Sequence, residues 1–283
     1  MKLIRFGEPG SEKPGVEMDG LRLDVSSKIR DFDGAFFAGG GLPKLRKLIE
    51  AENHGFPEVS ADVRLGPPVA RPGKIVCVGL NYKDHAKEFG NRSIPDEPVL
   101  FMKATSAYCG PNDDLVPPPG AQKLDYEVEL AMVIGRVTKN IAEEDAMQAV
   151  SGFTMLNDVS ERAFQKEHGG QWMKGKSYDG FASVGPYLVT RDEVDDVASM
   201  GLWTDVNGDS RQSGNTRDMV FTVPFLVSYI SRFMTLEPGD IIATGTPGGV
   251  AMGMPEPRYL QLGDVMEMGI DGLGCARRIV RDA

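Results

Sequence analysis

Asp125-Tyr126-Glu127-Val128-Glu129-Leu130-Ala131-Met132-Val133-Ile134-Gly135 is the stretch that decides how the rest of the chain is interpreted. Its second half is apolar enough for a buried strand, but its first half is acidic. Side chains alternate along a strand, so Glu127 and Glu129 face the same way, about 7 Å apart. Two carboxylates placed like this either form the polar face of a half-exposed strand or share a hard divalent cation such as Mg²⁺, Mn²⁺ or Ca²⁺.

A third acid is needed before this pair can form a catalytic metal site, and Asp158 is the candidate. It lies in an apolar segment at residues 152–160 that we predict to be a strand. Taken alone, Asp158 would as readily cap the helical turn predicted at residues 162–165. Together with Glu127 and Glu129, it would leave about half of an octahedral Mg²⁺ shell for water and substrate. A catalytic metal site is therefore one interpretation of these three acids.

The bulk composition limits the class of protein. The 283 residues carry a formal net charge of -10, and no apolar run reaches the roughly 18 residues that a membrane span needs. This acidic balance argues against nucleic acid and anionic membranes as partners. Three cysteines without CxxC spacing indicate reduced, buried thiols, and three histidines are too few for a multi-histidine metal site. The short, charged start does not resemble a signal peptide, so we expect a cytoplasmic protein.

Two domains are expected along the chain. Residues 1–70 combine short strand patterns with one helix at residues 43–50, which is typical of a small α+β domain. The proline-rich segment at residues 66–73 resists both helix and central strand and marks the boundary. Residues 71–283 contain more strand than helix and no β-α-β repeat, so we predict an α+β protein with a mainly β second domain. Further helices are predicted at residues 81–88, 141–150 and 223–234.

Several other residues could have either a catalytic or binding role or a purely structural one. His85 and Glu88 fall on one face of a predicted helix that Asn81 could cap. As a pair they could hold and deprotonate a water, or they could be an ordinary surface pair. Lys176 could donate to a metal-bound anion or be a solvated loop lysine. The glycine-rich residues 244–249 could cradle a carboxylate with their backbone N–H groups or form only a tight turn.

Five segments are more informative together than singly. They are Val78-Gly79-Leu80-Asn81-Tyr82-x-x-His85-x-x-Glu88, Glu127-x-Glu129, Asn157-Asp158-x-Ser160-x-Arg162-x-x-Gln165, Gly175-Lys176-Ser177-Tyr178-Asp179 and Thr244-Gly245-Thr246-Pro247. In this order, from about residue 74 to the C-terminus, they resemble the fumarylacetoacetate hydrolase family. The combined pattern is far more specific than any one of its parts.

The resemblance implies a catalytic domain of the fumarylacetoacetase β-roll type, a small N-terminal domain, a homodimer and a Mg²⁺ or Mn²⁺ ion. By motif position, the implied metal ligands are Glu127, Glu129 and Asp158. The implied catalytic residues are His85 and Glu88, which activate water on a closing lid, and Lys176 and Gln165, which face the developing oxyanion. The candidate substrate-binding residues are Arg162 and Thr246, to which we add Gly245 and Lys103.

Two further features concern the substrate. The segments Phe101-Met102-Lys103-Ala104-Thr105-Ser106 and Gly170-Gln171-Trp172 are similar to those of bacterial members that act on 2,4-diketo-3-deoxy sugar acids, such as fuconate or rhamnonate derivatives. Leu80 stands where some acylpyruvase-like relatives carry arginine. We therefore expect this pocket to bind the distal part of its substrate differently.

The predicted reaction is hydrolysis of a C–C bond in a small anionic 2,4-diketo acid, which gives pyruvate and a second acid. Chelation by a metal would stabilise the enolate leaving group, while the histidine–glutamate pair directs water at the distal carbonyl. A decarboxylase or keto-enol isomerase of a related diacid such as oxaloacetate is the alternative, since it keeps the metal but omits water attack. A non-catalytic acid-binding protein would not need the His85–Glu88 pair.

Overall fold

The computed structural model describes residues 1–52, 55–88 and 95–282, except for the side chains of residues 52 and 85–87. The helices are α1 (Gly34–Ala38), α2 (Gly41–Glu52), α3 (Lys83–Glu88), α4 (Arg162–Lys166), α5 (Met173–Lys176) and α6 (Val223–Phe233). The strands are β1 (Lys2–Phe6), β2 (Lys13–Met18), β3 (Leu21–Asp24), β4 (Glu58–Val59), β5 (Leu65–Gly66), β6 (Ile75–Gly79), β7 (Val99–Lys103), β8 (Tyr108–Cys109), β9 (Leu124–Asp125), β10 (Val128–Ile134), β11 (Val150–Asp158), β12 (Ser160–Glu161), β13 (Ala182–Val184), β14 (Leu188–Thr190), β15 (Gly201–Val206), β16 (Asp209–Asn215), β17 (Ile241–Ala243), β18 (Val265–Ile270) and β19 (Gly274–Ile279).

Most strands belong to one large mixed sheet. Its order is β4-β3-β2-β1-β14-β11-β10-β17-β6-β7. Three short strands pair outside this order: β5 with β1, β13 with β11, and β8 with β13. Neighbouring strands are antiparallel except for β6 with β17 and β8 with β13. The prediction of a mainly β, α+β fold is confirmed. Among the helices in the described ranges, none has the length and apolar character needed to cross a membrane.

Strand β10 lies at the centre of the large sheet. All 7 of its residues are buried, and all but Glu129 are apolar, which is typical of a strand without a solvent face. A second sheet, ordered β16-β15-β18-β19, contacts β10 through β15 and β18. Strand β10 pairs antiparallel with β11 so that Val128 lies opposite Asn157. This register sets the start of β10 beside the end of β11, where the Asp158 N–H donates to the Glu127 carbonyl at 2.9 Å.

The N-terminal strands continue the same sheet. Strand β1 pairs with β14, and the N-terminal ammonium donates to Thr190 Oγ1 at 2.7 Å. Leu3 is fully buried in a hydrophobic cluster that also contains Leu130 and Leu188. The two predicted domains thus share one sheet and one core, and the boundary near residue 70 stays a prediction.

Some predicted elements match the structure and others differ. The helices predicted at residues 43–50 and 223–234 are confirmed as α2 and α6. The segment 141–150 forms a 3₁₀ helix at Glu143–Ala149 instead of an α-helix. Its buried alanines lie three residues apart, which matches the 3₁₀ period. The prediction that the cysteines are buried is confirmed for Cys77 and wrong for the other two, because Cys109 is half-buried and Cys275 is exposed.

Two predicted helix caps are wrong. The Asn81 side chain donates to the carbonyls of Phe221 and Thr244 and accepts from the Phe221 N–H, so it joins distant segments rather than capping α3. Asp158 does not cap α4, because the Glu161 side chain accepts the N–H of the first turn. The carboxylate of Asp158 is therefore left for another use.

Candidate active site

Three carboxylates meet where β10 begins and β11 ends. Glu127 directly precedes β10, Glu129 lies within it, and Asp158 is the last residue of β11. One oxygen from each lies within 4.8 Å of the others, and all three side chains are buried. The antiparallel register of β10 and β11 therefore brings together the three acids predicted as metal ligands.

Lys176 lies among these carboxylates rather than in solvent. Its Nζ donates to Glu127 Oε2 at 2.6 Å and to Asp158 Oδ2 at 2.7 Å. Burial opposes its charge, but Asp158 and Glu127 outweigh that effect and raise the pKa of Lys176. The preceding residue allows the approach, since a Cβ on Gly175 would lie 2.3 Å from the Glu161 carbonyl oxygen. The interpretation of Lys176 as a solvated loop lysine is wrong.

Lys103 reaches the same aspartate from β7. Its Nζ contacts Asp158 Oδ1 and donates to the Val159 carbonyl at 3.1 Å. Burial lowers the pKa of Lys103, although Asp158 acts in the opposite direction. Lys103 lies behind a candidate metal ligand and outside the pocket lining given below, so the structure favours a role in holding Asp158. Its contact with substrate stays a prediction.

Arg162 connects α4 to the acids. Its Nε donates to Asp125 Oδ2 at 2.9 Å, and its Nη1 donates to Gln165 Oε1 at 3.1 Å. Its Nη2 lies 2.6 Å from Glu127 Oε1, in an ion pair that lacks the alignment of a hydrogen bond. Arg162 thereby orients one candidate metal ligand and one candidate catalytic amide.

Sequence reasoning missed Asp125, which organises this corner. It is fully buried, and besides Arg162 it accepts the backbone N–H groups of residues 251 and 252 at 2.8 and 3.0 Å. A signal was present, because the period of two that aligns Glu127 with Glu129 also includes residue 125. What sequence could not supply was the arginine partner from another element.

The acids of this cluster outnumber its bases, so an added cation would balance their charge. Glu129 forms no ion pair with any residue that the structure describes, and it accepts the Gly245 N–H at 2.9 Å. Burial, followed by the nearby Asp158 and Glu127, raises the pKa of Glu129 well above its usual range. A divalent cation would offset this, and carboxylate oxygens suit Mg²⁺ or Mn²⁺. The residues present therefore fit a divalent metal ion. Four acids face three bases in the cluster: Asp125, Glu127, Glu129 and Asp158 against Lys103, Arg162 and Lys176.

A pocket opens onto the carboxylates. The part of it that a water-sized sphere can occupy measures about 50 Å³. Its polar lining consists of Glu127, Glu129, Arg162, Gln165, Lys166, Lys176 and Thr246. Its remaining lining consists of Val78, Gly79, Leu80, Phe101, Trp172 and Met252.

The glycine turn after β17 supports β10. The Thr246 hydroxyl donates to the Val128 carbonyl at 2.9 Å and accepts from Gln212 Nε2 at 2.7 Å. The Gly245 N–H donates to Glu129 and so is used inside the protein, which differs from its predicted contact with substrate. Thr246 lines the pocket, and its substrate contact stays a prediction.

Helix α3 lies against the end of the same turn. Glu88 Oε1 accepts the Gly249 N–H at 2.6 Å, and Asp84 Oδ2 accepts the Gly248 N–H at 3.1 Å. The side chain of His85 lies outside the described residues. Its pairing with Glu88 as a water-activating dyad therefore stays a prediction.

Comparison with known proteins connects this arrangement to a family. The family model described as fumarylacetoacetate (FAA) hydrolase C-terminal matches residues 74–281. A protein of Burkholderia multivorans, provisionally named a hydrolase, is 50% identical over 285 aligned residues that cover 100% of both chains.

Solved structures agree with the family match over the whole chain. The fumarylacetoacetate hydrolase of the psychrophile Exiguobacterium antarcticum is 39% identical, with a TM-score of 0.85 and coverage of 100% of both chains. The maleylpyruvate hydrolase of Sphingobium sp. SYK-6, solved with manganese(II) and pyruvate, is 32% identical, with a TM-score of 0.83 and the same 100% coverage. With these matches and this site, the chain is an enzyme of the fumarylacetoacetate hydrolase family.

Proposed function

We propose that the protein is a divalent-metal-dependent hydrolase that cleaves the C–C bond of a 2,4-diketo acid to pyruvate and a second acid. The observation that carries the proposal is the cluster of three buried carboxylates, two of which line one pocket together with Lys176 and the Arg162–Gln165 pair. The similar maleylpyruvate hydrolase structure, which holds manganese(II) and pyruvate, supports the same assignment.

The site residues of the chain have distinct proposed roles. Glu127, Glu129 and Asp158 would hold Mg²⁺ or Mn²⁺, which supplies charge stabilisation to a 2-keto acid when it is bound. Lysine has three N–H donors, and two of those on Lys176 go to carboxylates, which leaves one for an oxyanion in the pocket. Arg162 donates to Gln165 Oε1, which leaves the Nε2 group of Gln165 to donate to the oxyanion as well.

The water-activating step is assigned to the pair His85 and Glu88. The proposed pair would remove a proton from water as it attacks the distal carbonyl, and the bond between C3 and C4 would then break to release the pyruvate enolate. The contact of α3 with the glycine turn supports this assignment, since Glu88 accepts the N–H of Gly249, three residues after the lining residue Thr246.

We extend the proposal to 2,4-diketo-3-deoxy sugar acids. The test is to incubate the purified enzyme and Mg²⁺ with 5-hydroxy-2,4-dioxohexanoate in H₂¹⁸O. Hydrolysis yields pyruvate and lactate, and one solvent oxygen enters the new lactate carboxylate. Efficient decarboxylation of oxaloacetate, without cleavage of any 2,4-diketo acid in a panel, would replace the hydrolase with the decarboxylase alternative.

The metal requirement is tested by removing the acid that has no cationic partner among the described residues. Glu129→Gln should weaken Mn²⁺ binding at least about 10-fold and abolish turnover, because one of three charged ligands is lost. Calorimetry with Mn²⁺ measures the affinity. Glu256→Gln is the control, since Glu256 is exposed and lies outside the site. Full turnover of the parent enzyme in excess chelator would contradict the assignment.

The proposal also includes a homodimer. Static light scattering should then give a mass of twice the 30.7 kDa chain. A mass of one chain at assay concentrations would remove the dimer from the proposal without affecting the chemistry.

A further inference from the structure

Leu80, on the wall of the pocket, has an unusual backbone conformation. Its φ is 58°, in the left-handed region that branched, non-glycine residues rarely adopt. The residue lies between β6 and α3, is half-buried, and lines the pocket. Strained backbone of this kind concentrates at ligand sites and persists only where the surroundings impose it.

Both neighbours of Leu80 impose the conformation. On one side, the Asn81 side chain makes three buried hydrogen bonds, to Phe221 and Thr244, at 2.7 to 3.1 Å. On the other side, Gly79 packs so closely on Trp172 that an added Cβ would lie 2.7 Å from Trp172 Cζ3. The backbone at Leu80 is held from both sides, which fixes the position of its Cβ on the pocket surface.

The surrounding lining is apolar and partly aromatic. Trp172 meets Phe101 at a ring-centroid distance of 5.4 Å and an interplanar angle of 65°, which is an edge contact. We call the five apolar side chains of the lining the apolar wall. They are Val78, Leu80, Phe101, Trp172 and Met252.

The Lys176 ammonium lies 5.1 Å from the centre of the Phe101 ring, but none of the three cations in the described lining is both buried and unpaired. Arg162 and Lys176 are both paired with carboxylates. Lys166 is exposed, so solvent and salt screen its attraction for an anion. A second carboxylate on the substrate would therefore be desolvated against the apolar wall without an unpaired buried cation among the described residues, which is unfavourable. A hydroxyl is tolerated better, since an apolar pocket discriminates only weakly against one added hydroxyl.

We infer that Leu80 is a specificity-determining residue that, with Trp172, selects 2,4-diketo acids whose acyl group is uncharged over those that end in a second carboxylate. The inference rests on the proposed function and names its substrate class. It accommodates a 6-deoxy sugar acid, whose acyl group carries one hydroxyl and ends in a methyl.

Two substrates of equal length test the inference. 2,4-Dioxoheptanoate and 2,4-dioxoheptanedioate differ only in a terminal methyl or carboxylate, and pyruvate release gives kcat/KM for each. The parent enzyme should prefer the monoacid at least about 10-fold. Leu80→Arg should shift the ratio at least about 10-fold toward the dioate, whereas the uncharged Leu80→Met should keep the parent's preference.

Additional variants separate the possible outcomes. Met252→Arg adds the same charge to the apolar wall from a residue without left-handed backbone, so it should shift the ratio in the same direction even if Leu80→Arg does not fold. Lys166→Gln should leave the ratio within about 3-fold. Equal use of both substrates by the parent, or Leu80→Arg and Met252→Arg that lower both rates equally, would overturn the inference. Absence of pyruvate from both substrates in the parent would instead contradict the proposed function.

Discussion

Lys176 shows how one side chain serves two tasks in this site. Its ammonium contacts Glu127 and Asp158, which are also candidate metal ligands, and it lines the pocket where an oxyanion would form. A cation at this position reduces repulsion between the acids, but it also competes with a metal ion for them. The same residue therefore has opposite expected effects on metal binding and on turnover.

Replacement of Lys176 separates these effects. Lys176→Met should lower kcat about 10²- to 10³-fold, because a donor to the developing oxyanion is lost. Mn²⁺ affinity should be retained or increased, because a positive charge beside the ligands is removed. Calorimetry and steady-state kinetics measure the two quantities. Lys174→Met, on the same helix at an exposed position, is the control. Loss of Mn²⁺ binding together with activity would assign Lys176 to the metal site alone.

The turn that follows β17 is the element that joins the two sheets and α3. Gly249 has φ of 102°, and a Cβ there would lie 1.9 Å from the Arg211 carbonyl oxygen of β16. Gly248 has no positive φ, and its added Cβ would meet the flexible Glu88 side chain at 3.1 Å. The two adjacent glycines thus have different structural requirements.

Alanine substitutions at the two positions test this difference. Gly249→Ala should reduce the free energy of unfolding by at least about 2 kcal/mol, because both strain and a backbone clash are introduced. Gly248→Ala should cost under about 1 kcal/mol, since a side chain can move aside. Urea unfolding followed by circular dichroism measures both. Equal losses would show that the tight packing of Gly249 on β16 is not what requires glycine.

At the scale of the whole molecule, a sheet extends through both predicted domains. Strand β1 covers the edge of β14, and Leu3 and Leu188 share one core. An uncovered strand edge beside exposed apolar residues is prone to aggregate. The N-terminal segment therefore contributes to the stability of the catalytic part.

Truncation tests this dependence. Residues 71–283 produced alone should aggregate or unfold without a cooperative transition, because removing β1 exposes both the sheet edge and the core. Size-exclusion chromatography and thermal denaturation measure the outcome, and addition of residues 1–70 as a separate chain should restore soluble protein. A stable, cooperatively folding fragment would show that the boundary near residue 70 separates independent domains.

Local pattern alone was enough to predict much of this protein. The period of two in residues 127–129 and the apolar run that follows identified an acidic strand end, and the balance of strands over helices identified the fold class. The resemblance carried by the motifs identified Arg162, Gln165 and Thr246, whereas residue type and spacing alone indicated only the carboxylates, Lys176 and the glycine-rich turn as candidates. Caps and the type of the helix near residue 145 were predicted less well, since tertiary contacts compete with local preference there.

Only the tertiary structure decided which groups meet. The register of β10 and β11 joins Asp158 to Glu127, and the packing that glycine permits at residue 175 buries Lys176 between them. The pairing of Asp125 with Arg162 and the left-handed backbone of Leu80 have no local sequence signal, because both depend on segments distant along the chain. The sequence by itself determined which chemistry was available, whereas the three-dimensional packing decided which of those groups act on one substrate.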